Sequence, residues 1–227
     1  MTKMRIALDA AAAIVVGVLA QPTYALMNIN VVSDGSWKSS DVLASGWQTG
    51  SFDDSGWSYA RAPYPQPVTP ESFFGATAAQ AMWYDPTSTA NGMNGSIEAY
   101  FRKTLNIDFR SGSLPVSAQA LISVDDDYEF YVNGTLVFSN KDGGYADKVD
   151  FVDFTSYLRN GTNVLAIHAV DGGWNAPHDR LYERVLFDAK IVSTAAAVPE
   201  PEVYATMLSG IGLLFAVARR RSSNQPG

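Results

Sequence analysis

Two histidines and a run of three aspartates are the residues of this sequence best equipped for chemistry. His178 lies in Trp174-Asn175-Ala176-Pro177-His178-Asp179, a polar stretch that reads as a loop, and is the better placed of the two for ligand contact. His168 falls within Asn163–Val170, where period-two spacing puts it on one face with Val164, Ala166 and Val170. That pattern favours a packed strand histidine over a catalytic one. Asp125-Asp126-Asp127 has the carboxylate density of a cation site. An EF-hand loop, however, needs glycine at its sixth position, and Phe130 stands there. A turn between strands, with a carboxylate capping backbone amides, is the reading that remains. There is no Gly-x-Ser-x-Gly elbow, no phosphate-binding glycine loop and no His-Glu-x-x-His. The absence of cysteine excludes thiol catalysis and cysteine zinc sites.

Aromatic residues suggest a different chemistry. The segment between Arg61 and Glu98 is long for a connection inside a compact domain, and such segments tend to be functional or disordered. It carries Tyr64, Phe73, Phe74, Trp83 and Tyr84, and a second loop carries Trp174. Exposed tryptophan and tyrosine present a flat apolar face with a polar edge, which suits stacking on pyranose rings. Tyr64, Trp83, Tyr84, Trp174 and His178 are therefore the candidate carbohydrate-binding residues. For Phe73 and Phe74 a plainer role is a short helix, with Ala78 and Met82, closing one end of the fold.

The elements that must position these residues are strands. Ala118, Ala120, Ile122 and Val124 alternate on one face, and Tyr128, Phe130 and Val132 resume the alternation. Asn133-Gly134 then leads to Leu136-Val137-Phe138, the dipeptide of a type I′ hairpin turn, which needs positive φ at both positions. Further strands are predicted at Asn28–Val32, Ala99–Ile107, Val149–Phe154, Asn163–Val170 and Leu186–Val192. Short strands separated by turn residues indicate an all-β sandwich or jelly roll.

The two ends read as address labels. Lys3 and Arg5 precede an apolar stretch from Ala10 to Ala20, and Thr23-Tyr24-Ala25 completes a signal-peptide pattern over residues 1–25 with cleavage after Ala25. At the other end, Pro199-Glu200-Pro201 precedes the uncharged stretch Val203–Ala218 and then Arg219-Arg220-Arg221, with a polar tail at residues 222–227. As a helix that stretch would rise about 24 Å, near the lower limit for a transmembrane span. Arginines hold such an end on the cytoplasmic side. Five of the 16 basic and three of the 23 acidic residues lie in these ends, leaving 11 against 20 in residues 26–197, a balance near −9. Such a domain is a poor partner for nucleic acid or anionic membranes.

Two resemblances follow. Residues 198–221, with Pro199, Glu200, Pro201, the apolar stretch and the arginine cluster in order, resemble the PEP-CTERM sorting signal. That family occurs in Gram-negative bacteria that make exopolysaccharide. The resemblance implies an exosortase as partner, an inner-membrane intermediate, and release to the cell surface or medium. Within residues 26–197, Phe52-Asp53-Asp54-Ser55-Gly56-Trp57, Tyr100–Leu105, Val124–Gly134 and Asp153–Ile167 occur in the order of the galactose-binding-domain-like jelly roll. This is an accessory domain of β-galactosidases, β-glucuronidases and α-rhamnosidases, whose catalytic carboxylates lie in a separate barrel. Related folds hold one structural calcium; Asp53, Asp54 or the Asp142 loop would supply carboxylates here, and spacing does not choose among them. The expectation is a noncatalytic module that binds polysaccharide outside the cell. The alternatives are a matrix protein acting through protein contacts and, last, a small hydrolase.

Overall fold

The computed structural model describes residues 25–65, 69–84, 98–109, 115–141, 148–172 and 183–195, with the helical positions 205, 207–215 and 219. Among them ten strands form two antiparallel sheets, the all-β sandwich that the alternation predicts. Sheet one runs β1 (Ala25–Val32), β10 (Arg184–Ala195), β5 (Pro115–Asp125), β8 (Asp150–Asp153). Sheet two runs β3 (Ser58–Tyr59), β2 (Lys38–Ser40), β4 (Glu98–Ile107), β9 (Gly161–Val170), β6 (Asp127–Val132), β7 (Thr135–Asn140).

The core lies between the sheets. Ala118, Ala120, Ile122 and Val124 of β5 all face inward and are buried, as their spacing dictates. From the other sheet, Phe130 meets Phe187 of β10 at 5.6 Å and Phe154 edge-on at 5.7 Å. The β6–β7 turn takes positive φ at Asn133 (53°) and Gly134 (88°), the geometry for which Asn-Gly is suited. Asn133 also fastens the hairpin to β9: its amide donates to the Tyr157 carbonyl at 2.9 Å, and its oxygen accepts the Val164 N–H at 3.0 Å.

Strand β9 departs from ordinary antiparallel behaviour. Leu165, Ile167 and Ala169 face the core, yet Val164 and Ala166 on the opposite side are equally buried. A strand apolar on both faces needs cover on both. The second cover is the segment 41–57, whose Trp47 packs on Tyr100, Val164 and Ala166. Arg102 of β4 pins that segment from beneath. Its guanidinium donates to the carbonyls of Trp47, Thr49 (3.0 Å) and Phe52 (3.5 Å), and pairs with Asp54 at 2.8 Å.

The segment after Tyr59 joins the sandwich instead of standing off it. Arg61 and Trp83 form a bridge, and Met82 exchanges backbone hydrogen bonds with Val185 of β10 at 3.1 and 2.9 Å. The expected short helix is α1 (Glu71–Phe74), whose Phe73 ring lies 4.3 Å from the Arg184 guanidinium. It does not extend to Ala78 and Met82: Met82 is extended and fully buried.

The sandwich occupies the unit Tyr24–Ala196, and Met1–Thr23 with Ala197–Gly227 make up a second. In the expected Val203–Ala218 span, positions 205 and 207–215 are helical. Among the described residues no helix is long and apolar enough to cross a membrane.

Candidate functional site

The register of sheet two assembles a polar and aromatic face on its outer side. Tyr100 of β4 pairs with His168 of β9, and His168 pairs with Glu129 of β6, so the three side chains share one row. The Tyr100 and His168 rings stack at 4.5 Å, nearly parallel. His168 Nε2 lies 3.3 Å from Glu98 Oε2, and its Nδ1 lies 3.7 Å from Glu129 Oε2. One imidazole thus stands between two carboxylates. Each carboxylate also accepts a phenol: Tyr100 donates to Glu98 at 2.9 Å and Tyr131 to Glu129 at 2.5 Å. Burial, then the carboxylates beside them, push both phenols above the usual tyrosine range. Burial disfavours the Glu129 anion, but hydrogen bonds from Lys141 (2.5 Å) and Tyr131 outweigh it and hold the carboxyl below its ordinary range.

Segment 41–57 supplies the aromatic half. Trp47 stacks on Trp57 at 6.2 Å and meets Tyr100 and Tyr131 edge-on at 5.1 and 5.7 Å. Trp57 is the partly exposed member, held by the Lys38 ammonium, which donates to its carbonyl at 3.0 Å. At the rim, Tyr84 is half-buried, and burial followed by the charge and hydrogen bond of Asp41 pushes its phenol up. Ser40 pairs with Tyr100, so the antiparallel register carries Asp41 toward the Glu98 end of β4.

A second constellation lies at the strand ends. Asp125, Asp126 and Asp171 each place a carboxylate oxygen within 4.8 Å of the others. The Gly172 N–H donates to Asp126 Oδ2 at 2.6 Å. Burial first, then the hydrogen bond and charge of Asp126, push the Asp125 carboxyl up to about 8, with Arg184 acting the other way. Three carboxylate oxygens are the hard donors that calcium or magnesium takes, so these residues fit such an ion as part of a shell that carbonyls or water would complete.

The residues singled out in the sequence divide sharply. Tyr64 and Trp83, expected as exposed stacking surfaces, are 3% and 0% exposed. Trp83 lies 5.9 Å from Phe101 in the core, because the Arg61 and Val185 pairings draw its strand inward. The expectation of exposure is corrected for both: Trp83→Ala would remove core packing, about 3–5 kcal/mol, before it touched a ligand. Tyr64 directs its hydroxyl to Glu183 at 3.5 Å. Tyr84 is the one member of this group that stays partly exposed among the described residues, packed against the core between the sheets. Of the expected metal carboxylates, Asp54 is committed to Arg102, and Asp53 accepts the Ser55 N–H at 3.0 Å in a turn. The carboxylates that do converge include two of the Asp125–Asp127 run, and Asp126 also takes the role its sequence predicts, a bend between β5 and β6 whose carboxylate caps the Gly172 N–H. His168 is the packed strand histidine its spacing predicted, though with an ionic edge. Trp174, His178, Asp142, Pro199, Glu200, Pro201, Arg220 and Arg221 lie outside the described residues, and Arg219 is an exposed helical position. Ala25 opens β1.

Glu98, Tyr100, Glu129, Tyr131, Trp47 and Trp57 were not singled out as site residues. The signal was present in part: with Phe101 and Phe130 inward, period two turns Tyr100, Glu129 and Tyr131 outward.

No protein-family model and no curated protein matches the chain. Similar solved structures include a glycosyl hydrolase family 2 member from Bacteroides cellulosilyticus, at 19% identity and TM-score 0.45 over 71% of this chain and 20% of that one. A β-glycosidase from Bacteroides vulgatus gives 19% and 0.46 over 73% and 20%. A β-glucuronidase from an uncultured Clostridium gives 12% and 0.39 over 85% and 31%. The chain spans a fifth to a third of these proteins. A likeness this distant carries no activity or substrate across to it.

Proposed function

We propose that the chain is an exported, noncatalytic glycan-binding protein. Residues 1–25 act as its signal peptide, 26–197 as a galactose-binding-like jelly roll, and 198–221 as a PEP-CTERM signal with a transmembrane helix, read by an exosortase. The protein passes through an inner-membrane intermediate to the cell surface or the medium. One observation supports binding above the rest: the outer face of sheet two combines partly exposed aromatic edges, at Trp57, Tyr131 and His168, with fixed carboxylate acceptors at Glu98 and Glu129. Carbohydrate sites need this pairing, an apolar ring surface for the pyranose face and aligned acceptors for its hydroxyls.

Affinity electrophoresis in gels containing exopolysaccharide from the producing bacterium tests the reading. Retardation is expected, and Trp57→Ala should abolish most of it while leaving the melting temperature within a few degrees. Unretarded migration on every glycan tried, with the protein folded, would remove it. A second reading, a matrix protein joined through protein contacts, draws on Val42 and Leu43, adjacent and 65% and 66% exposed. Self-association in light scattering that ignores Trp57→Ala and is lost with Leu43→Ser would favour it.

A further inference from the structure

We infer that the glycan taken on the outer face carries free amino groups; this rests on the glycan-binding reading and narrows it. The ground is the distribution of charge around His168. On β4, Glu98 meets the imidazole at 3.3 Å and stands 53% exposed; on β6, Glu129 meets it at 3.7 Å. Segment 41–57, packed over the same face, adds Asp41, Asp53 and Asp54 and no basic residue. The described bases on this face have local anionic or carbonyl partners, Arg159 beside Gly50 included, whose Nε donates to the Thr162 carbonyl at 3.0 Å. Arg102 is buried under the carbonyls of Trp47, Thr49 and Phe52 and the carboxylate of Asp54. Lys38 donates to the Trp57 carbonyl, and Lys141 pairs with Glu129 at 2.5 Å. What the face offers an incoming ring is therefore the exposed Glu98 carboxylate beside aromatic edge, with Glu129 behind it. His168 itself shows the arrangement, a nitrogen-bearing ring set between two carboxylates. An ammonium-bearing sugar supplies the matching donor and charge, whereas a uronate or sulfate brings like charge to Glu98 and Glu129.

The test is isothermal titration of the full chain with three oligosaccharides of equal length: β-1,4-linked glucosamine, its N-acetylated counterpart, and galacturonic acid. The glucosamine oligomer should bind about five- to tenfold more tightly than the acetylated one, the size of a partly shielded ion pair. The uronate should give no heat. Glu98→Gln should bring the glucosamine affinity down to the acetylated level, while Glu71→Gln on α1 leaves it unchanged, which separates the local effect from the net acidity of the chain. Glu129→Gln, which removes the second carboxylate beside His168, should likewise lower the glucosamine affinity toward the acetylated level; it provides an independent variant should Glu98→Gln fold poorly. Equal affinity for the amine and acetyl forms, or tight uronate binding by the parent, overturns the inference and leaves glycan binding standing. Silence with all three oligomers and in the affinity gels overturns both.

Discussion

Asp125 is a carboxylic acid placed where burial and a neighbouring carboxylate both favour its neutral form. An unfolded aspartate loses its proton near pH 3.9, whereas here the carboxyl holds it to about 8. The folded chain thus binds the proton that the unfolded chain has released. The resulting stability is complete below about pH 4 and is lost as pH rises to 8. Asp125→Asn, which keeps the shape and a donor toward Asp126, should leave the denaturation midpoint unchanged at pH 4 and raise stability by about 1–3 kcal/mol at pH 8.5. A flat difference across that range in urea titrations would refute the assignment. Calcium would report on the other use of the same oxygens: if it binds at Asp125, Asp126 and Asp171, it should raise the midpoint of the parent and not that of the variant. The triple aspartate run was visible in the sequence. Its partner Asp171 was not, because it arrives from the end of another strand, and only the pairing of β9 with β6 brings the two regions together.

At the scale of elements, segment 41–57 owes its place to one side chain. Arg102 satisfies three backbone carbonyls and a carboxylate from within a 2% exposed position. Its loss strands the Asp54 charge and unseats Trp47 from β9. Arg102→Ala should cost about 3–5 kcal/mol, and amide exchange should quicken first over residues 47–57. Uniform acceleration through β5 and β10 instead would show that the segment does not open separately. Arg102→Lys recovers part of the loss, since an ammonium cannot span the same fork of acceptors. The strands themselves were legible: β5 and β6 followed from period two and the turn after β6 from Asn133-Gly134, whereas β9, apolar on both faces, shows no such alternation. The segment from Arg61 to Tyr84 was misjudged in its aromatics. Trp83 looks in the sequence like a loop residue, and only the backbone pairing of Met82 with Val185 tells that its strand is drawn into the sandwich. Propensity does not report such distant backbone bonds.

For the whole molecule, the processing proposal meets the fold at Ala25. Cleavage there removes one register pair, Ala25 with Ala195, and leaves Leu26 with Thr194 through Val32 with Asp188 in place. Intact mass of protein recovered from the medium should correspond to a chain beginning at Leu26 and ending near Pro199-Glu200-Pro201. A released species retaining residues 203–221 would contradict exosortase processing. The outer face, by contrast, was unreadable as a unit in the sequence: Glu98, Glu129 and His168 sit on three strands whose spatial order is β4, β9, β6.

The pairing of β1 with β10 has a mechanical side as well. The first residue of one strand lies beside the last of the other, so both ends of the sandwich leave from the same point. If a matrix held one end while flow dragged the other, the pull would fall on the terminal rung alone, Leu26–Thr194 in a chain cut after Ala25, then on the next. Hydrogen bonds loaded in succession yield at low force, whereas the same ladder pulled along its length would share the load. A chain tethered at only one of its ends escapes that peeling altogether, and the proposed removal of the N-terminal label would leave one such end free.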